Sequence, residues 1–333
     1  MLQLGRFPRV RLGHMPTPLE PMHRLSDQLG GPKLWIKRDD CTGLATGGNK
    51  TRKLEYLVAD ALQQGADTLI TLGALQSNHA RQTAAAAAKL GLKCVLVLED
   101  RVTQPTDAYR HNGNLLLDRL LGAHLKYVPR DASMSTAAAQ AAEDVRRAGG
   151  RPYVIPGGGS NAVGALGYVG CALEMLHQAS DLGTRIDHVV HATGSSGTQA
   201  GLIAGLEGAR SGARVLGITV GRPRDNQERN IARLLDETWA HLGLAGAPSR
   251  DAVEANDGYF GEAYGIPTPA MKEAVDIVAR VEAVLLDPVY SGKAMAGLID
   301  LVRKGRFAKD ENVVFVHTGG QAGLFAYEPA FAA

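Results

Sequence analysis

The stretch TLITLGALQSNHARQTAAAAAKLGLKCVLVL, residues 68–98, decides the architecture. Thr68–Leu72 and Cys94–Leu98 are apolar runs without polar alternation, the pattern of strands buried on both faces of a parallel sheet. Between them the alanine-rich Arg81–Leu90 reads as a helix. Working outward, similar strand candidates are Lys33–Lys37, Pro152–Ile155, His188–His191, Val215–Val220 and Val313–Val316. Helical segments at Lys53–Gln64, Ser135–Ala148 and Ala165–Ala179 alternate with them. Strand–helix alternation of this kind predicts an α/β fold with largely parallel twisted sheets. A glycine-rich connection, IPGGGSNAVGALG at 155–167, suggests where two α/β units meet, and the charged region Gly221–Asp257 reads as a surface excursion.

Composition narrows the function. Lys and Arg number 36 against 34 Asp and Glu, a net +2, which argues against a nucleic-acid or polybasic membrane surface. The three cysteines, Cys41, Cys94 and Cys171, are widely spaced and form no CxxC pair, so neither a metal site nor a disulfide framework is expected. No signal peptide is visible and no run reaches the roughly 18 apolar residues a membrane span requires. A cytoplasmic protein is expected.

Chemistry concentrates where strands lead into helices, and in open α/β sheets ligands bind at the carboxyl ends of the strands. The segment DDCTGLATGGNKTRK, 39–53, brings two glycines and then Lys50 to a helix start. The positive helix end and partial burial would lower the pKa of that amine and favour the neutral form that attacks a carbonyl. Lys53 shares a helix face with it and could neutralise an anion; a solvated basic helix start is the plain alternative. Ser77-Asn78-His79 follows a strand and opens a helix, which suits a carboxylate or a simple Ser/Asn cap. Gly194-Ser195-Ser196-Gly197-Thr198 follows the strand ending at His191. It suits a phosphate cup of N–H and hydroxyl donors, or a Gly-Ser cap, and matches neither dinucleotide nor P-loop glycine spacing. The pair LDPVYSGK (286–293) and HTGG (317–320) ends with hydroxyls that could face a heterocyclic nitrogen. A phosphate cup plus a helix-start lysine implies a phosphorylated carbonyl cofactor, and pyridoxal 5'-phosphate meets both needs.

GGNKTRKLEYL (47–57), GALQSNHARQTAAAAAKLGL (73–92), TGSSGTQAG (193–201), LLDPVYSGKAMAGLIDL (285–301) and HTGGQAGLFAY (317–327) together resemble one group of pyridoxal-phosphate enzymes. That group contains D-cysteine desulfhydrase, L-cysteate sulfo-lyase and 1-aminocyclopropane-1-carboxylate deaminase. The resemblance implies a two-domain fold of the tryptophan-synthase-β type (type II). Residues 1–52 with 163–333 would form the larger, cofactor-binding domain and 53–162 the smaller. A homodimer and a small amino-acid substrate are implied, with no nucleic-acid or membrane partner. By the same resemblance Lys50 bonds the cofactor aldehyde and Lys53 lies on its phosphate side. Ser77 lies beside the reacting carbon, Asn78 contacts the ring oxygen, and Ser77, Asn78 and His79 together bind the substrate. Gly194, Ser195, Ser196, Gly197 and Thr198 hold the phosphate, and Tyr264 (in YGIPT) and Tyr290 (in DPVY) face the substrate. Thr318 is the candidate partner of the ring nitrogen, with Ser291 as a second.

Within the group, the deaminase has Glu where this chain has Ser291, and a hydroxyl holds a ring proton less firmly than a carboxylate. Cyclopropane opening, with its poor carbon leaving group, is therefore disfavoured against loss of a β-sulfur group. The segments at 39–44, 188–194 and 255–259 resemble the L-cysteate enzyme. Those at 293–297 and 59–62 resemble the D-cysteine enzyme equally well. The sequence leans to L-cysteate, with D-cysteine as the alternative and Arg81 and Arg222 as possible partners of a sulfonate. A catalytically silent binding protein that keeps the fold is the reading from another class; the intact Lys50, Ser77, Tyr290 and phosphate loop oppose it.

Overall fold

The computed structural model describes residues 2–103, 105–130 and 132–332. Its strands are β1 (Leu19–Pro21), β2 (Lys33–Lys37), β3 (Thr68–Ala74), β4 (Lys93–Glu99), β5 (His124–Val128), β6 (Pro152–Val154), β7 (His188–Thr193), β8 (Arg214–Thr219), β9 (Glu254–Asn256) and β10 (Asn312–Val316). They form a six-stranded sheet, β1-β2-β10-β7-β8-β9, and a four-stranded sheet, β5-β4-β3-β6. Every pairing is parallel except β1 with β2. The α/β expectation holds, and the central strands β7 and β10 are buried at every residue.

All seven strands expected from apolar runs are present. The three that were not expected, β1, β5 and β9, lie at sheet edges. Edge strands are short and face solvent, so they carry no continuous apolar run. β9 also revises the reading of 221–257. That region adds a strand to the larger sheet and contributes the helix Arg224–His241, which buries Gln227, Ile231, Leu234, Leu235 and Thr238.

The smaller sheet draws all its strands from 68–154 and the larger sheet draws none from that interval. A division at 52/53, however, would cut the continuous helix Lys50–Gln63. That helix starts three residues earlier than the apolar pattern suggested, because its first turn is held by polar side chains. Two helices of the larger unit, Ala162–Asp181 and Gly197–Gly208, pack backbone to backbone. A side chain at Gly201 would come within 2.6 Å of Tyr168 Cβ, and one at Gly205 within 2.5 Å of Ala172 Cβ. The glycines thereby seat the start of helix Gly197–Gly208 against the rest of the site. No helix among the described residues is long and apolar enough to cross a membrane.

Candidate active site

Segments that follow the carboxyl ends of β3, β7, β8 and β10 converge on a cavity of about 310 Å³. Of the residues expected to form a site, Lys50, Ser77, Asn78, His79, Gly194, Ser195, Ser196, Thr198, Tyr264, Tyr290 and Thr318 all line it. Lysine and glycine-serine loop, distant in sequence, thus face one space.

Lys50 opens its helix with no side-chain cap, directly after Gly47 and Gly48, whose φ angles of 72° and 128° suit glycine. Its Nζ donates to Asn49 Oδ1 at 2.8 Å. Burial, then Arg81, lower its pKa from 10.5 to about 8, opposed by Asp287. The expected depression of this amine is therefore present, with burial as its main cause. Asn49 also donates to Thr198 Oγ1 at 3.0 Å, linking the lysine segment to the loop after β7.

Lys53 lies one turn on, fully buried and behind the cavity wall. Its Nζ donates to Gly158 O and Ser160 Oγ, both at 3.1 Å. Burial and then Lys50 push its pKa well below the usual lysine value. Ser160 in turn donates to Ser195 Oγ at 2.8 Å and accepts from Gly197 N at 3.3 Å. Gly197 itself begins its helix just outside the cavity lining, and that helix start has no side-chain cap.

Ser77 caps the helix Asn78–Leu90 by accepting from Ala80 N at 3.1 Å, which leaves its hydroxyl proton free. Asn78 Oδ1 accepts from Asn114 Nδ2 at 2.9 Å, so its own amide N–H groups are left for the cavity. His79 is committed to its own fold: its Nε2 lies 2.8 Å from Thr71 Oγ1. Burial, then Lys50 and Lys53, lower its pKa well below 6.5 and keep it neutral. The Tyr264 and Tyr290 hydroxyls lie 2.7 Å apart, and burial raises both their pKa values.

Ser291, like Lys53 and Gly197, is absent from the lining. Its Oγ donates to Asp287 Oδ1 at 2.7 Å and accepts from Asp287 N at 2.8 Å. The Asp287 carboxylate also gathers the N–H groups of Val289, Tyr290 and Ser291, so Ser291 is occupied in building the helix start. Thr318, by contrast, faces the cavity. Arg81 too is turned elsewhere, holding Thr46 Oγ1 and Gly47 O. Arg222 does line the wall and donates to Gly194 O at 2.8 Å.

The sequence reading missed Asn49, Asn114, Ser160, the Gly157–Gly158 loop and Arg101. Asn49 sits within GGNK, a motif whose chemistry the sequence assigns to the lysine alone. Ser160 lies in the glycine-rich run that was read only as a connection. Nothing local marks Asn114.

These residues fit a phosphorylated aldehyde. A buried ammonium whose polar contacts are a carbonyl and a hydroxyl, beside an uncapped helix start, is a cradle that needs an anion. The Lys50 amine faces the same space.

The family model for pyridoxal-phosphate dependent enzymes matches residues 10–319, and the chain belongs to that family. Its cofactor is pyridoxal phosphate. D-cysteine desulfhydrases of Salmonella typhi and of Salmonella choleraesuis (strain SC-B67) are each 48% identical over 330 residues, 98% of this chain and 98% of theirs. A solved structure of an ACC deaminase homologue is 40% identical with a TM-score of 0.89, covering 98% of this chain and 96% of that one.

Proposed function

We propose that the chain is a carbon–sulfur lyase that removes hydrosulfide from the β-carbon of D-cysteine, leaving pyruvate and ammonia after hydrolysis. The observation that carries the reading is the convergence of Lys50, Ser77 and the Tyr264–Tyr290 pair on one cavity with the Gly194–Thr198 loop. This reverses the sequence preference for L-cysteate. Near end-to-end identity of 48% to proteins named D-cysteine desulfhydrase supports the change. The cavity's charges leave one arginine for a sulfonate. A sulfonate would require an unspent cation, yet Arg101 is paired with Glu99 at 2.6 Å and Arg81 is turned away. Arg222 is left as the candidate partner of any sulfonate.

Pyridoxal phosphate, when bound, supplies an aldehyde for the substrate amine and a ring that takes up electrons. Lys50, with its pKa lowered to about 8, keeps a minor neutral fraction at physiological pH and can take the α-proton. The free hydroxyl proton of Ser77 offers a relay. Asn78, oriented by Asn114, offers N–H donors to a ring oxygen. Tyr290, kept protonated by burial and bonded to Tyr264, can donate to the departing sulfur. Thr318, which lines the cavity, is the candidate partner of the ring nitrogen in this reading.

A product assay of the purified enzyme with D-cysteine, L-cysteine, L-cysteate and the cyclopropane amino acid side by side tests the proposal. Sulfide from D-cysteine is expected. Sulfite from L-cysteate without sulfide from D-cysteine would restore the first preference. Bound cofactor with no turnover of any of the four would favour the silent binding protein. We extend the proposal to a cytoplasmic homodimer, for which light scattering should give twice the 35.2 kDa chain mass.

A further inference from the structure

We infer that Gln227 is a positioning residue for cofactor binding: it sets the direction of two hydroxyl protons, one on Ser196 in the Gly194–Thr198 loop and one on Thr193 just before it, so that they point at the phosphate. The inference rests on the reading of that loop as the phosphate site.

Gln227 belongs to the helix Arg224–His241, outside every segment the sequence singled out for chemistry, and is fully buried. Its Nε2 donates to Thr193 Oγ1 and to Ser196 Oγ, both at 3.1 Å. Thr193 directly precedes the loop, Ser196 lies within it, and both residues line the cavity. An amide nitrogen has two hydrogens and no acceptor capacity. Each hydroxyl must therefore use its oxygen to accept from Gln227, which leaves both O–H protons to be donated. Neither hydroxyl has another partner among the described residues. The Gln227 carbonyl Oε1 is buried without a partner, so the amide is engaged through its nitrogen alone.

The same contact holds the backbone. Ser196 has φ 71°, a left-handed conformation that favours glycine, directly before the uncapped helix start. The bond to Gln227 restrains that residue. In effect one amide both shapes the loop and polarises it as a set of donors.

Two substitutions separate this role from simple packing. Gln227→Met keeps the length and buries no new charge; it leaves the two hydroxyls free to turn. Gln227→Glu keeps the shape but accepts hydrogen bonds, so it draws both hydroxyl protons away from the cavity and adds like charge beneath a phosphate. Dissociation constants of pyridoxal phosphate and of pyridoxal, which lacks the phosphate, are measured by titrating cofactor-free protein and following the visible band. Pyridoxal phosphate should bind about tenfold more weakly to Gln227→Met and about a hundredfold or more weakly to Gln227→Glu, whereas pyridoxal affinity should stay within about threefold of wild type. The phosphorus NMR shift of the bound cofactor should move in both variants. Far-ultraviolet circular dichroism reports folding of the cofactor-free forms. If Gln227→Glu does not fold, the contrast between the two ligands in Gln227→Met decides alone.

A control distinguishes this inference from the loop assignment beneath it. Ser195→Asp places a negative charge within the loop itself. If it leaves pyridoxal phosphate affinity intact, the loop is not the phosphate site. If it abolishes binding while both Gln227 variants bind as wild type, the loop stands and the role of Gln227 is refuted. Equal weakening of both ligands would also refute it, since a packing defect would not single out the phosphate.

Discussion

Replacing Lys50 should make the cofactor-free protein more stable. An amine whose pKa falls from 10.5 to about 8 on folding is held charged at neutral pH in a place that disfavours charge. By linkage that costs the fold about 3 kcal/mol. Below pH 8 both folded and unfolded chains carry the proton and the penalty is complete. Between pH 8 and 10.5 the folded chain has lost the proton while the unfolded chain keeps it, so stability recovers as pH rises. Above 10.5 neither carries it and the penalty is gone. Lys50→Met retains the unbranched chain and removes the charge. It sacrifices the bond to Asn49 Oδ1, worth about 1 kcal/mol. The net expectation is a gain of about 2 kcal/mol at pH 7, together with loss of turnover. Urea unfolding of both proteins, stripped of cofactor because a ligand of the native state would mask the difference, measures it at pH 7 and near pH 11. At the higher pH the advantage should vanish or reverse slightly. A variant no more stable than wild type at pH 7, or an advantage unchanged by pH, would refute the reasoning.

Three further outcomes follow from particular contacts. Tyr264→Phe removes the hydroxyl bonded to Tyr290, and kcat for β-elimination should fall about ten- to a hundredfold with folding unchanged; steady-state assays with circular dichroism check this. Ser291→Ala should lower the unfolding free energy by about 1–3 kcal/mol, because Asp287 loses one donor and its N–H an acceptor. The visible band of bound cofactor should not move, and a shifted band would return Ser291 to the ring nitrogen. Asp39→Asn should cost about 3–5 kcal/mol, since Arg52, Tyr168 and Thr17 all converge on that buried carboxylate; urea titration reads it.

The fold was legible wherever a strand is buried on both faces, as at Thr68–Leu72 or Val313–Val316, because burial writes itself as an unbroken apolar run. It was illegible at His124–Val128 and Glu254–Asn256, edge strands whose side chains answer to solvent. In the site, residues on loops after strands could be found because glycine, hydroxyl and lysine side by side at a helix start have few structural uses. The bond from Ser291 to Asp287 was illegible because it depends on where Asp287 turns, and a serine next to a tyrosine gives no hint of that. Asn114 and Gln227 act only by reaching residues 36 and 31 positions away. No local pattern marks such a partner, since one buried amide looks like any other until the chain has folded.

The helix Lys50–Gln63 shows why the site is ready for an anion. Lys50 and Lys53, three residues apart, share the face toward the cavity, whereas Arg52 points to the opposite side. At the rear, Arg52 and Lys37 meet Asp39 and Glu174, two cations against two carboxylates, with Arg52 Nε 2.8 Å from Asp39 and Lys37 Nζ 2.5 Å from Glu174. Burial alone would push the Asp39 carboxyl up, but Arg52, Lys37 and Tyr168 hold it below its ordinary value. That cluster is balanced and needs nothing more. At the front, both amines have lowered pKa values, with burial the larger cause. Their polar contacts are an amide, a carbonyl and a hydroxyl. A phosphate monoester brings about −1.5 to −2 of charge at neutral pH, close to what two such amines lack when protonated. The balanced rear fixes the helix in place. The unbalanced front then makes arrival of the cofactor the step that completes the electrostatics of the fold, so the feature that weakens the empty protein is the one that gives the loaded protein its grip.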